Sequence, residues 1–290
     1  MKKPLAMFIE RDVMTEHTEA LSESDPDATQ AGGWNQDYTL ESGQTQLHEL
    51  GHLRLWLTLL DKEWQVRSQY HYEQADPAGW SMSTSHVLPG VDVPLQRFVR
   101  PDAGTQVRFL PALAALPTVI RPYQPLTIPA AGECTIYVGT QVWLQLRVGT
   151  RDTQLTELAL TEPSLTWVGP STMEGDLCYT APSYGRMVLD AVPKRPWRAI
   201  TPVRIRNRRI EPLWLDRFSL PTQLLPLFQN DQGQLWTPKV TVVCETDMNA
   251  ARLKISSSLI PEAGQCHPLS PPRESSERGS LVRAFDRMFG

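Results

Sequence analysis

The chain has 290 residues, 41% of them hydrophobic, with 28 Lys and Arg against 32 Asp and Glu and a formal charge of −4. A chain of this length can bury about three quarters of the surface it exposes when unfolded, enough for one large core or two small ones. No run of 18 uncharged apolar residues occurs, so the composition excludes both a helical membrane span and a wholly disordered chain.

The charge is unevenly spread. Residues 1–49 carry −7 and the remainder +3. The opening MKKPLAMFIERD has too short an apolar stretch for a secretory signal, so a reducing cytoplasm is the expected compartment. Residues 11–36 are acidic and polar, with one Val, one Met, one Leu and one Trp to bury. Such a stretch cannot offset its own chain entropy, and residues 1–36 are expected to form a disordered acidic tail.

At residue 48 the sequence reads His48-Glu49-Leu50-Gly51-His52, a match to H-E-x-x-H. In that pattern two histidines one helical turn apart bind zinc, and the glutamate between them acts as general base. Taken at face value it proposes a zinc-dependent hydrolase of the metallopeptidase class, with His48 and His52 as metal ligands and Glu49 activating the bound water. The mechanism needs a helix. Gly51 sits inside the motif, strand-like alternation begins at Leu53, and positions 55 and 58, where a third histidine ligand is sought, hold Leu and Thr. Two histidines at the entrance to a strand are therefore the favoured reading, with no cofactor.

From Leu53 the period is two, with Leu53, Leu55, Leu57 and Leu59 on one face. After Asp61-Lys62-Glu63 the alternation resumes at Trp64, Val66, Tyr70 and Tyr72, which predicts a hairpin. The same signal recurs near residues 107–110, 135–138, 142–148, 158–160, 165–167, 203–205, 213–215, 240–244 and 253–255, punctuated by many of the 25 prolines. Short strands at this spacing predict an all-β fold of one or two antiparallel β-sandwiches. A soft boundary at Gly149 to Thr153 would divide the body into residues 37–150 and 151–260.

Cys134, Cys178, Cys244 and Cys266 are scattered singly, without metal or redox spacing, and three of them, in apolar strand-like runs, read as small core residues. Lys194 to Arg209 holds seven basic residues and no acid. A cluster this small in an acidic chain reads as a solvated strand face, and no nucleic-acid partner is expected. Of the nine tryptophans, Trp56, Trp64, Trp143, Trp167, Trp214 and Trp236 fall in strand-like runs and are assigned to packing. Trp34 and Trp80 fall in polar loops, where they could serve a sugar- or ligand-binding module.

Residues 261–279 are rich in Pro, Ser and charge and read as a linker. Beyond it, Leu281, Val282, Phe285, Met288 and Phe289 fall on one face of a short amphipathic helix over residues 280–290. Ten residues do not hold a helix alone, so this face must pack on something. Leu281, Phe285, Met288 and Phe289 are the candidate partner-binding residues, with self-packing as the alternative.

Three stretches together carry a resemblance: Gly51 to Leu57 leading to Glu63-Trp64-Gln65-Val66; Thr140 to Leu146; and Thr201 to Leu215 followed by Gly233 to Thr237. Over roughly residues 40–255 the chain resembles the prokaryotic domain of unknown function 432 family. The resemblance brings no established activity and no site residues. It implies, through an association with genes for mechanosensitive channels, a cytoplasmic accessory protein beside a membrane channel. The combined expectation is a non-enzymatic protein that acts by protein-protein interaction.

Overall fold

A computed structural model describes residues 33–72, 79–85, 87–245, 250–275, 280–284 and 288–289. In chain order the strands begin with β1 (Asp37–Thr39), β2 (Thr45–Leu50), β3 (Leu53–Leu59), β4 (Glu63–Tyr70), β5 (Trp80–Thr84), β6 (Leu95–Val99) and β7 (Gln106–Ala112). They continue with β8 (Thr118–Pro122), β9 (Leu126–Ile128), β10 (Glu133–Gln141), β11 (Trp143–Val148), β12 (Thr153–Ala159), β13 (Ser164–Val168), β14 (Asp176–Arg186) and β15 (Arg198–Asn207). The last are β16 (Leu213–Leu215), β17 (Phe218–Leu220), β18 (Leu227–Asn230), β19 (Leu235–Trp236), β20 (Val240–Cys244), β21 (Ala250–Ile255), β22 (Cys266–Ser270) and β23 (Ser280–Ala284). Three short 3-10 turns interrupt them, at Leu189–Ala191, Thr222–Leu224 and Pro261–Ala263. The chain is all-β, as its periodicity predicts.

Sheets form as the alternation dictates. The predicted hairpin is β3 and β4, in register from Leu53 opposite Tyr70 to Leu59 opposite Trp64. It is the middle of a five-stranded sheet ordered β5-β2-β3-β4-β6. Leu53, Leu55, Leu57 and Leu59 are each at most 1% exposed, and each such burial contributes roughly 1.5–3 kcal/mol. The other face of β3 is less polar in its surroundings than alternation predicts. Trp56 and Thr58 are also buried, and the Thr58 hydroxyl lies 2.8 Å from that of Thr45 on the neighbouring strand.

A four-stranded sheet runs β1-β7-β11-β12. The boundary expected at Gly149 to Thr153 falls at the turn between β11 and β12, which are adjacent strands of this sheet. The largest sheet follows the order β17-β8-β14-β10-β15-β19-β18-β22, with β13 on β14 and with β20, β21 and β23 extending from β15. Most pairs are antiparallel. The exceptions are β14 with β8, and β15 with β19 and β20, which are parallel. A fourth, two-stranded sheet pairs β16 with β9. One apolar cluster joins all four, from Leu55 and Trp64 through Phe109 and Leu146 to Ile136, Val203, Leu213 and Val242.

Two polar devices lock the centre. The hydroxyls of Thr140, Thr201 and Thr237 form a buried chain at 2.7 and 2.9 Å. Asn207, 1% exposed, donates from Nδ2 to the carbonyls of Ile128, Pro129 and Glu211 at 3.1, 3.2 and 2.8 Å, and its Oδ1 accepts from the Arg209 N–H. A buried amide meeting that many backbone groups fixes the turn from β15 to β16.

Two expected flexible segments are differently placed. Residues 1–32 of the expected tail lie outside the described residues, but Trp34 is 2% exposed and its indole N–H donates to the Pro196 carbonyl at 2.7 Å. The stretch read as linker carries β22, which pairs with β18, and Arg273, whose side chain donates to the Leu113 carbonyl at 2.6 Å. Residues 276–279 lie outside the described residues.

Candidate functional site

The His48 to His52 motif is a strand and a turn, not a helix. His48 and Glu49 lie on β2, opposite Leu55 and Arg54 of β3, and Gly51 turns the chain with φ of +59°. That left-handed conformation suits glycine, and a Cβ there would come within 3.0 Å of Trp197 Cδ2. Successive strand residues point to opposite faces. His48 points inward, 4% exposed, with Tyr38 and Phe109 edge-on at 4.9 and 4.7 Å and Gln46 Oε1 at 3.3 Å from its Nε2. Burial pushes its pKa down to about 3. Glu49 points the other way, accepting from Arg54 Nε at 2.6 Å and Ser81 Oγ at 3.2 Å.

His52, in the turn, is 4% exposed, with Nδ1 3.2 Å from the His71 carbonyl and its ring against Tyr72 and Trp197. The alternative reading needs both imidazoles and the carboxylate around one point. The strand puts His48 and Glu49 on opposite faces, so the donor set does not fit a helical H-E-x-x-H zinc centre. No cluster of three His, Cys, Asp or Glu side chains suited to a metal occurs among the described residues.

Of the amphipathic helix expected over residues 280–290, the first five positions form a strand instead, and residues 285–287 and 290 lie outside the described residues. Ser280–Ala284 is β23, antiparallel to β21, with Leu281 opposite Leu253. Only Met288 and Phe289 are helical among the described residues, and they are 1% and 6% exposed within the main core. Pairing to the open edge of β21 satisfies backbone groups that a ten-residue helix would leave bare, and it outweighs the local periodicity. Met288 and Phe289 therefore pack on the chain's own body. Phe285 lies outside the described residues.

The exposed apolar surface is elsewhere, on the β13–β14 hairpin. Leu165 and Trp167 share one face of β13, opposite Tyr179 and Leu177 of β14. Leu165, Trp167 and Leu177 are 60%, 45% and 44% exposed, and Met173 in the connecting loop is 89% exposed. The other face packs Val168 and Cys178 against Val119. Trp167 is held in place: its indole N–H donates to the Ser171 carbonyl at 2.8 Å, and a Cβ on Gly175 would sit 2.6 Å from that nitrogen. Only glycine lets the loop close on the ring. The four side chains expose roughly 400 Å², comparable to the largest apolar patch of an ordinary monomer and often functional.

A family model described as "Protein of unknown function (DUF432)" matches residues 34–289. The chain belongs to this family. No curated protein and no solved structure matches it. The match begins at Trp34, the residue that the sequence places in a polar tail and the fold places in the core.

In this DUF432 protein the basic stretch Lys194 to Arg209 is largely neutralised where it lies on the sheet. Arg204 and Arg206 both bond Glu133 of the neighbouring β10, Arg208 faces Glu245 at 3.7 Å, and Arg209 faces Glu211 at 3.6 Å. The Arg204 and Arg206 pairs hold the Glu133 carboxyl below the usual carboxylate range. The hairpin differs: residues 160–185 contain Glu162, Glu174 and Asp176 and no Lys or Arg, whereas Asp152 and Glu157, just before them, pair with Arg147 and Arg273. Sequence periodicity identified Leu165 and Trp167 as sharing a face but assigned that face to the interior. The absence of Lys and Arg from residues 160–185 is the signal that could have marked it as a surface. The loop-tryptophan reading also shifts. Trp34 is core, Trp80 is half-buried on β5, and the exposed indoles are Trp167 and Trp214.

Proposed function

We propose that this DUF432 chain is a non-enzymatic binding protein that docks another protein on the apolar face of the β13–β14 hairpin. The observation that carries the reading is the exposed group Leu165, Trp167, Leu177 and Met173, with the Trp167 indole fixed by its bond to the Ser171 carbonyl. Large apolar side chains held in place lose little entropy on association, and aromatic anchors at the centre of a patch supply much of the energy of an interface. The patch is about half of what each partner buries in an interface of standard size, roughly 800 Å², so a polar rim completes it. That rim is acidic, which favours a partner with basic residues around an apolar centre. Cytoplasmic loops of membrane proteins carry an excess of Lys and Arg, so the cytoplasmic side of a membrane channel is a partner of the right sign.

The test is photo-crosslinking in the native cell, with a photoreactive residue placed at Leu165 or, as a control on a remote exposed turn, at Ile210. One discrete protein adduct from position 165, absent from position 210 and lost when Trp167→Ser is added, supports the reading. Adducts identical at both positions, or none from position 165, overturn it.

A further inference from the structure

A second feature lies at the far end of β14, away from the exposed hairpin face. Beyond the end of β8 lies a recess of about 250 Å³ walled by Pro122, Pro125, Leu126, Ile136, Val188 and Ala191. Its shape depends on close backbone approach. The Tyr123 N–H donates to the Gly185 carbonyl at 2.8 Å, and any Cβ on Gly185 would overlap Ile136 Cγ2. This brings Tyr123 and Arg186 to the mouth together, with the guanidinium carbon 3.6 Å from the centre of the phenol ring.

Arg186 differs from many of the other arginines of the chain. Arg54, Arg97, Arg108, Arg147 and Arg206 each meet a carboxylate within 3 Å. The Arg186 guanidinium has no ion pair and no hydrogen bond among the described residues. Its Nε is buried without an acceptor. No Asp or Glu lines the recess, and Arg186 is the one charged side chain on its wall. An arginine held over an aromatic ring, at the mouth of an apolar hollow and without a counter-charge, is a half-finished interaction.

We propose that this recess binds a small monocarboxylate with an apolar body, the carboxylate meeting Arg186 and the body lying against Ile136, Leu126 and Ala191. The single cation matches a single negative charge. A phosphate dianion, strongly hydrated, would find one donor group and otherwise hydrocarbon walls. At roughly 30 Å³ per water-sized volume the hollow takes the equivalent of about eight waters, which suits ligands the size of octanoate or benzoate. The proposal does not rest on the docking reading, because the hairpin face and the recess share no residue.

Titration calorimetry of the full chain at pH 7 tests it, using octanoate and benzoate as probes with octanol, benzyl alcohol and inorganic phosphate as comparisons. Saturable binding of at least one carboxylate is expected, tenfold or more tighter than its alcohol or phosphate. Arg186→Gln should weaken it at least tenfold, and Met187→Glu, at a position 62% exposed on the rim, should do the same by repulsion even if the first variant folds poorly. Leu165→Ser should leave it unchanged. Absence of carboxylate binding, equal affinity for acid and alcohol, or binding indifferent to both rim variants overturns the proposal.

Discussion

Replacing His48 by Phe separates the core reading of the histidine from the metal-ligand reading. Folding withholds a proton from His48 until the pH falls to about 3, against 6.5 for a free histidine. Because the folded-state pKa is depressed, the unfolded chain binds the proton first. The stability from this site is whole above pH 6.5 and declines as the pH falls toward 3. At about 1.4 kcal/mol per pH unit, the loss reaches about 2 kcal/mol at pH 5. The shifted carboxyls of Asp37, Glu63, Asp102 and Glu133 are all held below their ordinary range, so they titrate beneath this window. Phe fills a similar volume and keeps the edge-on contacts with Tyr38 and Phe109. Guanidinium unfolding at pH 7.5, 6.5, 5.5 and 5.0 should show the unsubstituted protein losing about 2 kcal/mol more than His48→Phe across the series. Parallel losses, a ring titration near 6.5 by NMR, or stoichiometric zinc that disappears in the variant would refute the reasoning.

Asn207→Ala removes the donor from three carbonyls, the one on Ile128 buried. It should cost about 1–3 kcal/mol, a fall of several degrees in a thermal melt, while a neutral result would mean that water replaces the amide. Met288→Ala and Phe289→Ala, both in the core, should each destabilise by about 2–5 kcal/mol in denaturant titrations. Unchanged stability would return them to an external docking role. Gly51→Ala forces a side chain into a left-handed turn against Trp197 and should cost about 2 kcal/mol by the same measurement, whereas Glu49→Gln, which loses one half-exposed ion pair, should cost about 1 kcal/mol or less.

Where period two was sustained, the fold could be read directly. Leu53 to Leu59 and Trp64 to Tyr70 form the expected hairpin, Val203 and Ile205 are buried while Arg204 and Arg206 face outward, and Asn207 has the structural role its residue type indicates. The turn chemistry of Gly51 likewise argued correctly against a helix at the twin histidines. What escaped was set by partners remote in sequence. The parallel pairs of β15 with β19 and β20 have no local signature, because either neighbour could have joined antiparallel. Leu281 to Ala284 fits the start of a helical face and a strand alike, and the unfilled edge of β21 decided between them. Periodicity grouped Leu165 with Trp167 but carries no sign for inside or outside. The Arg186 recess depends on Gly185, whose role appears only when Ile136 from β10 is brought against it.

Burial of Met288 and Phe289 has a consequence for how the molecule is made. Trp34 bonds Pro196 and Arg273 bonds Leu113, contacts between residues about 160 positions apart. During synthesis β21 therefore keeps an open edge, and the core lacks two side chains, until residues 280–289 have been made. Contacts so distant in sequence form slowly, and the unfinished intermediate exposes apolar surface in the meantime. Chaperone engagement should concentrate in that interval.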